Sequence, residues 1–450
     1  MKIAVQRLFL RATWLKIHLY LALSAGLFFA LMGLSGSLSI YREELDSLLN
    51  PQLVITAPQD KLQSLDRIIA AVKNAHPQRH GAWTLEMPHT PTGMITAWYD
   101  KPQETFFEFH APLMVSINPY TAEVVANRFW GQTLSTWILD LHTQLQWDKL
   151  GWNAVGILGV LLSASVGSGI FLWWPGFRGL LSTFNIRVRA GQRALVFDVH
   201  RSIGVLSAGA LLVLALTGFS LSYPDILETL TGSSGMGHGE TGRVIISTAD
   251  PTDHPTTLAG AVFVARSAFP KAELRRIVTP VGDTGVYRIN FRQASEINQH
   301  HPFTTVWVDH WSGQIKAIRD PGNFSSGETL STWIWPIHTG EALGEKGRFI
   351  WFLGGLSLFI LYVTGLLLWL FRSGRLQDKA VNVAALQASA YRFRQTSQQV
   401  GLILLQQIIR LVTYAIRYAP QIKRVLKPIA LRLWRWIHRL LQSRKWLDKQ

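Results

Sequence analysis

Four histidines stand where this chain could do chemistry. His18 and His200 each head a long apolar run, and His142 and His338 each lie near the end of a phrase that occurs twice, LSTWILDLHT at 134–143 and LSTWIWPIHT at 330–339. An ionisable side chain at membrane depth costs several kcal/mol unless something pairs with it, which makes each of the four a functional candidate. Neutral imidazole ligates transition metals, haem iron among them. The plainer alternative is an interfacial histidine that is only hydrogen-bonded or wetted.

The spacing sorts the four into pairs. The two phrases are separated by a constant offset (330 − 134 = 196), and at that offset Gly169 falls on Gly365 and Trp173 on Trp369. A second register relates His18, Gly36 and Tyr41 to His200, Gly218 and Tyr223 (200 − 18 = 182). In-register repetition of this length reads as a duplicated module. The expected halves run over about 1–180 and 190–375.

The elements that must position these residues are membrane helices. Nearly uncharged segments at 17–41, 150–174, 200–223 and 349–372 reach the roughly 20 residues that a hydrocarbon core requires. Trp14, Trp152, Trp173, Trp174, Trp351 and Trp369 sit where interfacial aromatics are expected. The first run follows Arg7, Arg11 and Lys16. It outlasts the about 7–15 residues of a signal h-region, so it reads as a retained helix.

The formal charge of +16 is concentrated in 1–16, in 175–199 and in 373–450. The positive-inside rule puts those segments and both termini in the cytoplasm, and leaves 42–149 and 224–348 as inserts on the far side. Both halves then begin inside, which makes them parallel repeats.

On that topology His18 pairs with His200 near the inner face, and His142 with His338 near the outer face. Pairing across the faces fails, because a span of about 20 residues rises roughly 30 Å. Each cross-repeat pair could clamp one haem iron from both sides. Two haem b groups so placed would carry electrons across the bilayer. Ser24-Ala25-Gly26 and Ser207-Ala208-Gly209 leave room for a flat macrocycle or for close helix contact.

Each insert predicts a small α+β unit. In the first, Ser64–Asn74 has helical spacing and Trp83–Leu85, Met94–Trp98, Met114–Ile117 and Ala122–Ala126 read as strands. In the second, Leu258–Phe269 reads as a helix and Val286–Phe291, Thr305–Val308 and Gln314–Ile318 as strands. The Gly-rich stretch Gly232–Gly242 reads as a flexible join. The carboxy-terminal tail adds an amphipathic stretch, Gln399–Tyr418, and a basic segment with Trp434, Trp436 and Trp446, which suit a helix on an anionic leaflet or a re-entrant element.

Several chemistries are excluded. The chain has no cysteine, so it forms no disulfide and no thiolate metal site. No GxGxxG precedes a βαβ pattern, and no HExxH or GxSxG occurs; the glycines at 235–242 are not followed by GK[ST]. His300, His301 and His310 with Asp309 could form an outer iron-contact surface. His76, His80, His89, His110, His238 and His254 are scattered over the inserts and read as polar loop residues.

A histidine heading each odd span, a glycine-bearing span end, an insert closing on VSINPYTAEVV or VWVDHWSGQIK, and a Trp-Ile-x-x-x-His-Thr phrase together resemble the PepSY-associated transmembrane family over about residues 10–375. That family includes iron-regulated inner-membrane proteins and ferric-siderophore reductases of Gram-negative bacteria. The resemblance implies a membrane α-helical fold with α+β PepSY-like inserts and an inner-membrane location. It implies an oxidoreductase that passes electrons from a quinol or a cytoplasmic reductase to a ferric siderophore or another iron chelate. It implies membrane lipids as partners and no nucleic acid. An alternative of another class is a non-enzymatic module whose inserts bind a partner protein or assist siderophore transport.

Overall fold

The computed structural model describes residues 10–233, 244–248, 250–251 and 254–381. The amino-terminal arm before Leu10, most of the Gly-rich stretch with His238, and the tail elements expected at Gln399–Tyr418 and around Trp434–Trp446 lie outside these residues.

Among the described residues four helical segments are long and apolar enough to cross a membrane: Arg11–Ile40, Asp148–Trp173, Gln192–Ser222 and Glu341–Arg372. The first is made of α1 (Arg11–Ser24) and α2 (Gly26–Ile40), which meet at Ala25. Two short helices follow it, α3 (Arg42–Leu49) and α4 (Leu65–Ala75). The second and third segments are α6 (Asp148–Trp173) and α7 (Gln192–Ser222); α8 (Pro224–Thr231) follows, and α11 (Gly344–Arg372) forms most of the fourth.

All four begin before the apolar runs do. The helices continue through polar flanks such as Arg11, Lys16 and Arg193, where hydropathy falls but backbone hydrogen bonding does not. The spans pack as a ring in chain order, with the first closing on the fourth. Small residues bring the backbones together. Ser37 donates to the Phe352 carbonyl at 2.8 Å beside the Gly33–Gly355 contact, and a Cβ on Gly159 would lie 2.8 Å from the Ala215 carbonyl oxygen. Ala25, Phe29, Leu211 and Leu358 fill the centre. Gly26 abuts the ring of Tyr362, whereas Gly209 faces open space.

Among the described residues each insert holds four strands: β1 (Thr84–Glu86), β2 (Ile95–Tyr99), β3 (Leu113–Ile117) and β4 (Val124–Phe129) in the first, and β5 (Glu273–Val278), β6 (Val286–Arg292), β7 (Thr305–Asp309) and β8 (Ile315–Arg319) in the second. They form one antiparallel sheet in the order β4-β3-β2-β1-β5-β6-β7-β8. The seam is the pairing of Thr84 with Val278, Leu85 with Ile277 and Glu86 with Arg276. Helix α4 and α9 (Leu258–Ala268) cover one face. Ser64 and Thr257 cap them, accepting from the backbone N–H of Arg67 and of Gly260. Ile68, Val72, Leu85, Ala261, Ile289 and Val306 are among the buried residues of this core.

The expected strands lie within three residues of the observed ones, β4 starting two and ending three residues later than expected, but β5 is an addition. Its adjacent Arg275 and Arg276 break the alternation of a strand. In the sheet Arg275 is 3% exposed and bonded to Glu273, while Arg276 pairs with Glu86 across the seam.

The phrases of the opening motif are separate helices, α5 (Leu134–Gln144) and α10 (Ser326–Thr339). Leu145, Gln146 and Asp148 adopt φ of 50°, 59° and 54°, and Gly340 adopts 84°, so a left-handed turn parts each short helix from the span that follows.

Candidate functional site

The histidines sit on different elements and converge in two pairs. His18 on α1 and His200 on α7 have ring centroids 6.4 Å apart, at an interplanar angle of 82°. His142 on α5 and His338 on α10 have centroids 6.2 Å apart, at 38°. His18 and Gly36, which touches His142, are 18 residues apart on the first span, a rise of about 27 Å. The two pairs therefore occupy opposite ends of the bundle.

Every ring is held at Nδ1 in the same manner. His18 Nδ1 lies 3.0 Å from the Ser165 carbonyl and 3.0 Å from Ser168 Oγ. His200 Nδ1 lies 2.8 Å from Thr364 Oγ1. His142 Nδ1 lies 3.0 Å from the Met32 carbonyl and 3.5 Å from Ser35 Oγ. His338 Nδ1 lies 2.8 Å from Thr217 Oγ1.

The hydroxyls are themselves committed. Ser168 donates to Ser165, Thr364 to Ile360, Ser35 to Leu31 and Thr217 to Val213, all at backbone carbonyls 2.6–2.8 Å away. With its proton so engaged, each oxygen can only accept, and a carbonyl can do nothing else. Nδ1 must then carry the hydrogen, which assigns the tautomer with a bare lone pair on Nε2. Among the described residues no hydrogen bond reaches any of the four Nε2 atoms.

A glycine follows each hydroxyl residue and makes room for the ring. A Cβ on Gly169 would lie 3.3 Å from His18 Cε1, on Gly365 3.4 Å from His200 Cε1, on Gly36 2.6 Å from His142 Cε1, and on Gly218 3.2 Å from His338 Cε1. The unit that seats each imidazole is thus a Ser-Gly or Thr-Gly dipeptide on a facing span. The glycines are visible in the sequence as offset landmarks. Ser35, Ser168, Thr217 and Thr364 are not obvious there, although they obey the same offsets of 182 and 196.

Two imidazole nitrogens, each about 2 Å from one metal, place their ring centres about 6 Å apart. Both pairs meet that spacing. Among the described residues no group of three or more metal-ligating side chains occurs. A metal between either pair would therefore have two protein ligands.

The His142/His338 pair lines a cavity of about 330 Å³ whose walls run from Phe29 and Leu358 to Arg42, Glu43, His300 and Arg348. His300, in the loop between β6 and β7, lies 3.2 Å from Glu43 and 2.8 Å from Glu341. Burial opposes its charge, yet the hydrogen bonds to Glu341 and Glu43 carry its pKa up to about 9. The hydrogen bond from His300 holds Glu43 down at about 2. The His89 ring packs tilted against His300, with centroids 4.7 Å apart, and its pKa is pushed down to about 4 by burial and by Arg275.

The other candidates do not assemble. His300 and His310 lie beyond opposite ends of β7, and Asp309 is occupied by Ser247 and by the Trp311 and Ser312 backbone N–H groups. His301 packs on Trp335, His310 on Tyr287 and Trp311, His110 on Trp130, and His76 on Trp83. Trp137 is half-buried and Trp333 is 40% exposed, and neither makes a ring contact with a paired histidine.

No curated protein matches the chain. The family described as PepSY-associated TM region matches residues 15–372, a stretch that takes in all four spans but for the first turn of the first, both inserts and all four paired histidines, and the chain belongs to that family of membrane proteins.

Proposed function

We propose that the chain is a b-type haem electron-transfer protein of the bacterial inner membrane, which reduces a ferric siderophore or similar ferric chelate on the side of the β-sheet. The observation that carries this reading is the twice-repeated seat: two imidazoles from different elements, about one metal's width apart, each with Nδ1 blocked and Nε2 bare. Two protein ligands per site suit a metal whose other ligands come from a macrocycle, and small residues suit its flat faces.

Haem, when bound, supplies a reversible one-electron couple. The protein's own part is to orient the rings and to set their basicity through the Nδ1 acceptors. The reading makes 1–180 and 190–375 parallel halves, with the basic segments 1–16, 175–199 and 373–450 inside and the PepSY-like inserts 42–149 and 224–348 outside. Electrons would enter at the His18/His200 end from a quinol or a cytoplasmic reductase. Reduction helps to release iron, because Fe(II) leaves hard oxygen ligands more readily than Fe(III).

The test is a reduced-minus-oxidised absorption spectrum of the detergent-purified protein, with the haem counted per chain. Two b-type haems are expected, and His338→Ala is expected to remove one and spare the other. A spectrum without haem bands refutes the proposal.

A further inference from the structure

The loop between β2 and β3 carries three phenylalanines in four residues, Phe106, Phe107 and Phe109. Phe107 is 91% exposed and Phe106 57%, and the two rings pack edge to face with centroids 5.6 Å apart. A pair of aromatic rings presented to water is costly on a soluble surface.

The base of this loop is firmly built. Buried Thr105 donates to the Ala111 carbonyl at 2.5 Å, and Arg79 holds Glu104 at 2.7 Å while lying over Tyr99. The phenylalanines are thus displayed by a fixed support.

What they face is indicated by Phe109. Its ring lies 6.0 Å from Trp152, near the start of α6, and Lys149 Nζ lies 5.6 Å from the Phe109 ring and 6.0 Å from Trp152. Trp152 in turn donates to the carbonyl of Ser222, the last residue of α7. Two membrane spans therefore end at the level of this loop, in the zone where aromatic rings and lysine meet lipid headgroups. Trp147 and Leu150, 56% and 64% exposed, lie at the same span end.

We propose that Phe106 and Phe107 insert into the lipid leaflet on the sheet side, as a shallow anchor that ties the first insert to the membrane surface. The depth is that of an interfacial element, about 5–10 Å into the headgroup and acyl boundary. Glu104 is engaged by Arg79, and exposed Glu108 stays among the headgroups.

The cysteine-free chain permits a direct test. Full-length Phe107→Cys, labelled with an environment-sensitive fluorophore, is reconstituted into phosphatidylcholine vesicles with and without lipid that bears a nitroxide near the headgroup. Phe263→Cys is the control. It replaces a residue that is 80% exposed on α9, a helix packed on α4 and on the sheet. Insertion predicts a blue-shifted emission and several-fold stronger quenching by nitroxide lipid at 107 than at 263, with weaker quenching by aqueous iodide. Equal lipid quenching at the two positions, or iodide access at 107 matching that at 263, overturns the proposal and leaves the phenylalanines to a protein partner. Phe106→Cys repeats the measurement from the neighbouring residue.

Discussion

Of the four glycines that face a paired histidine, Gly36 fits most closely, against His142, and it yields the sharpest test of the paired-imidazole seat. An added methyl group would meet His142 Cε1 at 2.6 Å and Nδ1 at 3.0 Å. Carbon atoms in ordinary contact stand about 3.5–4.0 Å apart, so the ring must retreat by about 1 Å. That retreat draws Nδ1 away from the Met32 carbonyl, now 3.0 Å distant.

Overpacking of this kind costs about 1–3 kcal/mol, which at 1.4 kcal/mol per tenfold is a roughly 5- to 150-fold loss in retention of a group held by that ring. The backbone cannot be blamed, since alanine favours a helix interior over glycine by about 1 kcal/mol. Gly365→Ala is the matched control, because its methyl would sit 3.4 Å from His200 Cε1, an ordinary contact. With haem in the two seats as proposed, haem stoichiometry and low-temperature electron paramagnetic resonance read both sites. Gly36→Ala is expected to lose or alter the outer low-spin signal and to keep the inner one, and Gly365→Ala to keep both. An unaltered outer signal in Gly36→Ala, or loss at the inner site instead, refutes the argument.

Three further outcomes are expected. Thr217→Val removes the acceptor of the His338 Nδ1 hydrogen, which lowers the basicity of the imidazole and should raise the potential of the outer site by on the order of tens of millivolts in a redox titration; Thr217→Ser should restore it. The His300 clamp should be fully formed between the ordinary carboxyl value of 4.5 and the ordinary imidazole value of 6.5. It should weaken as pH rises through about 9, where His300 loses its proton, and as pH falls through about 2, where Glu43 gains one. Hydrogen exchange of residues 293–304 reports this, and His300→Gln should flatten the alkaline limb. Ile277→Ala, at a fully buried position of the seam, should cost about 2–5 kcal/mol and speed proteolysis of the inserts, whereas Ile318→Ala, 51% exposed on β8, should change little.

The partnership of His18 with His200 and of His142 with His338 was legible because two offsets and a charge asymmetry reduced the possible pairings to one geometry. The hydroxyls that orient the rings were not, since Ser35, Ser168, Thr217 and Thr364 look like any small polar residue of a membrane helix; the shared offsets mark them as repeat-related, and only contact with a distant ring assigns their role. Helix and strand positions in the inserts followed from amphipathic spacing. The seam did not: β1 was read as a strand, but its partner β5 is interrupted by Arg275 and Arg276 and does not display the alternation by which a strand is recognised. The network of His300, Glu43 and Glu341 joins residues some 40 to 260 positions apart, a separation at which local pattern carries no information.

The seam also imposes an order on biosynthesis. Strand β1 has β2 on one side from the start, but its other edge is completed only by β5, whose first residue follows Glu86 by 187 positions (273 − 86). At about 5–20 residues per second the ribosome needs roughly ten to forty seconds to supply it. Throughout that interval the first insert presents an open strand edge, of the kind that recruits foreign chains. Its shortness, three residues from Thr84 to Glu86, limits the exposure, and Glu86 places a negative charge at its end. The nascent chain is thus most vulnerable between the second span and the second insert, and a translational pause or truncation there would leave a membrane-anchored half-sheet with an unpaired border.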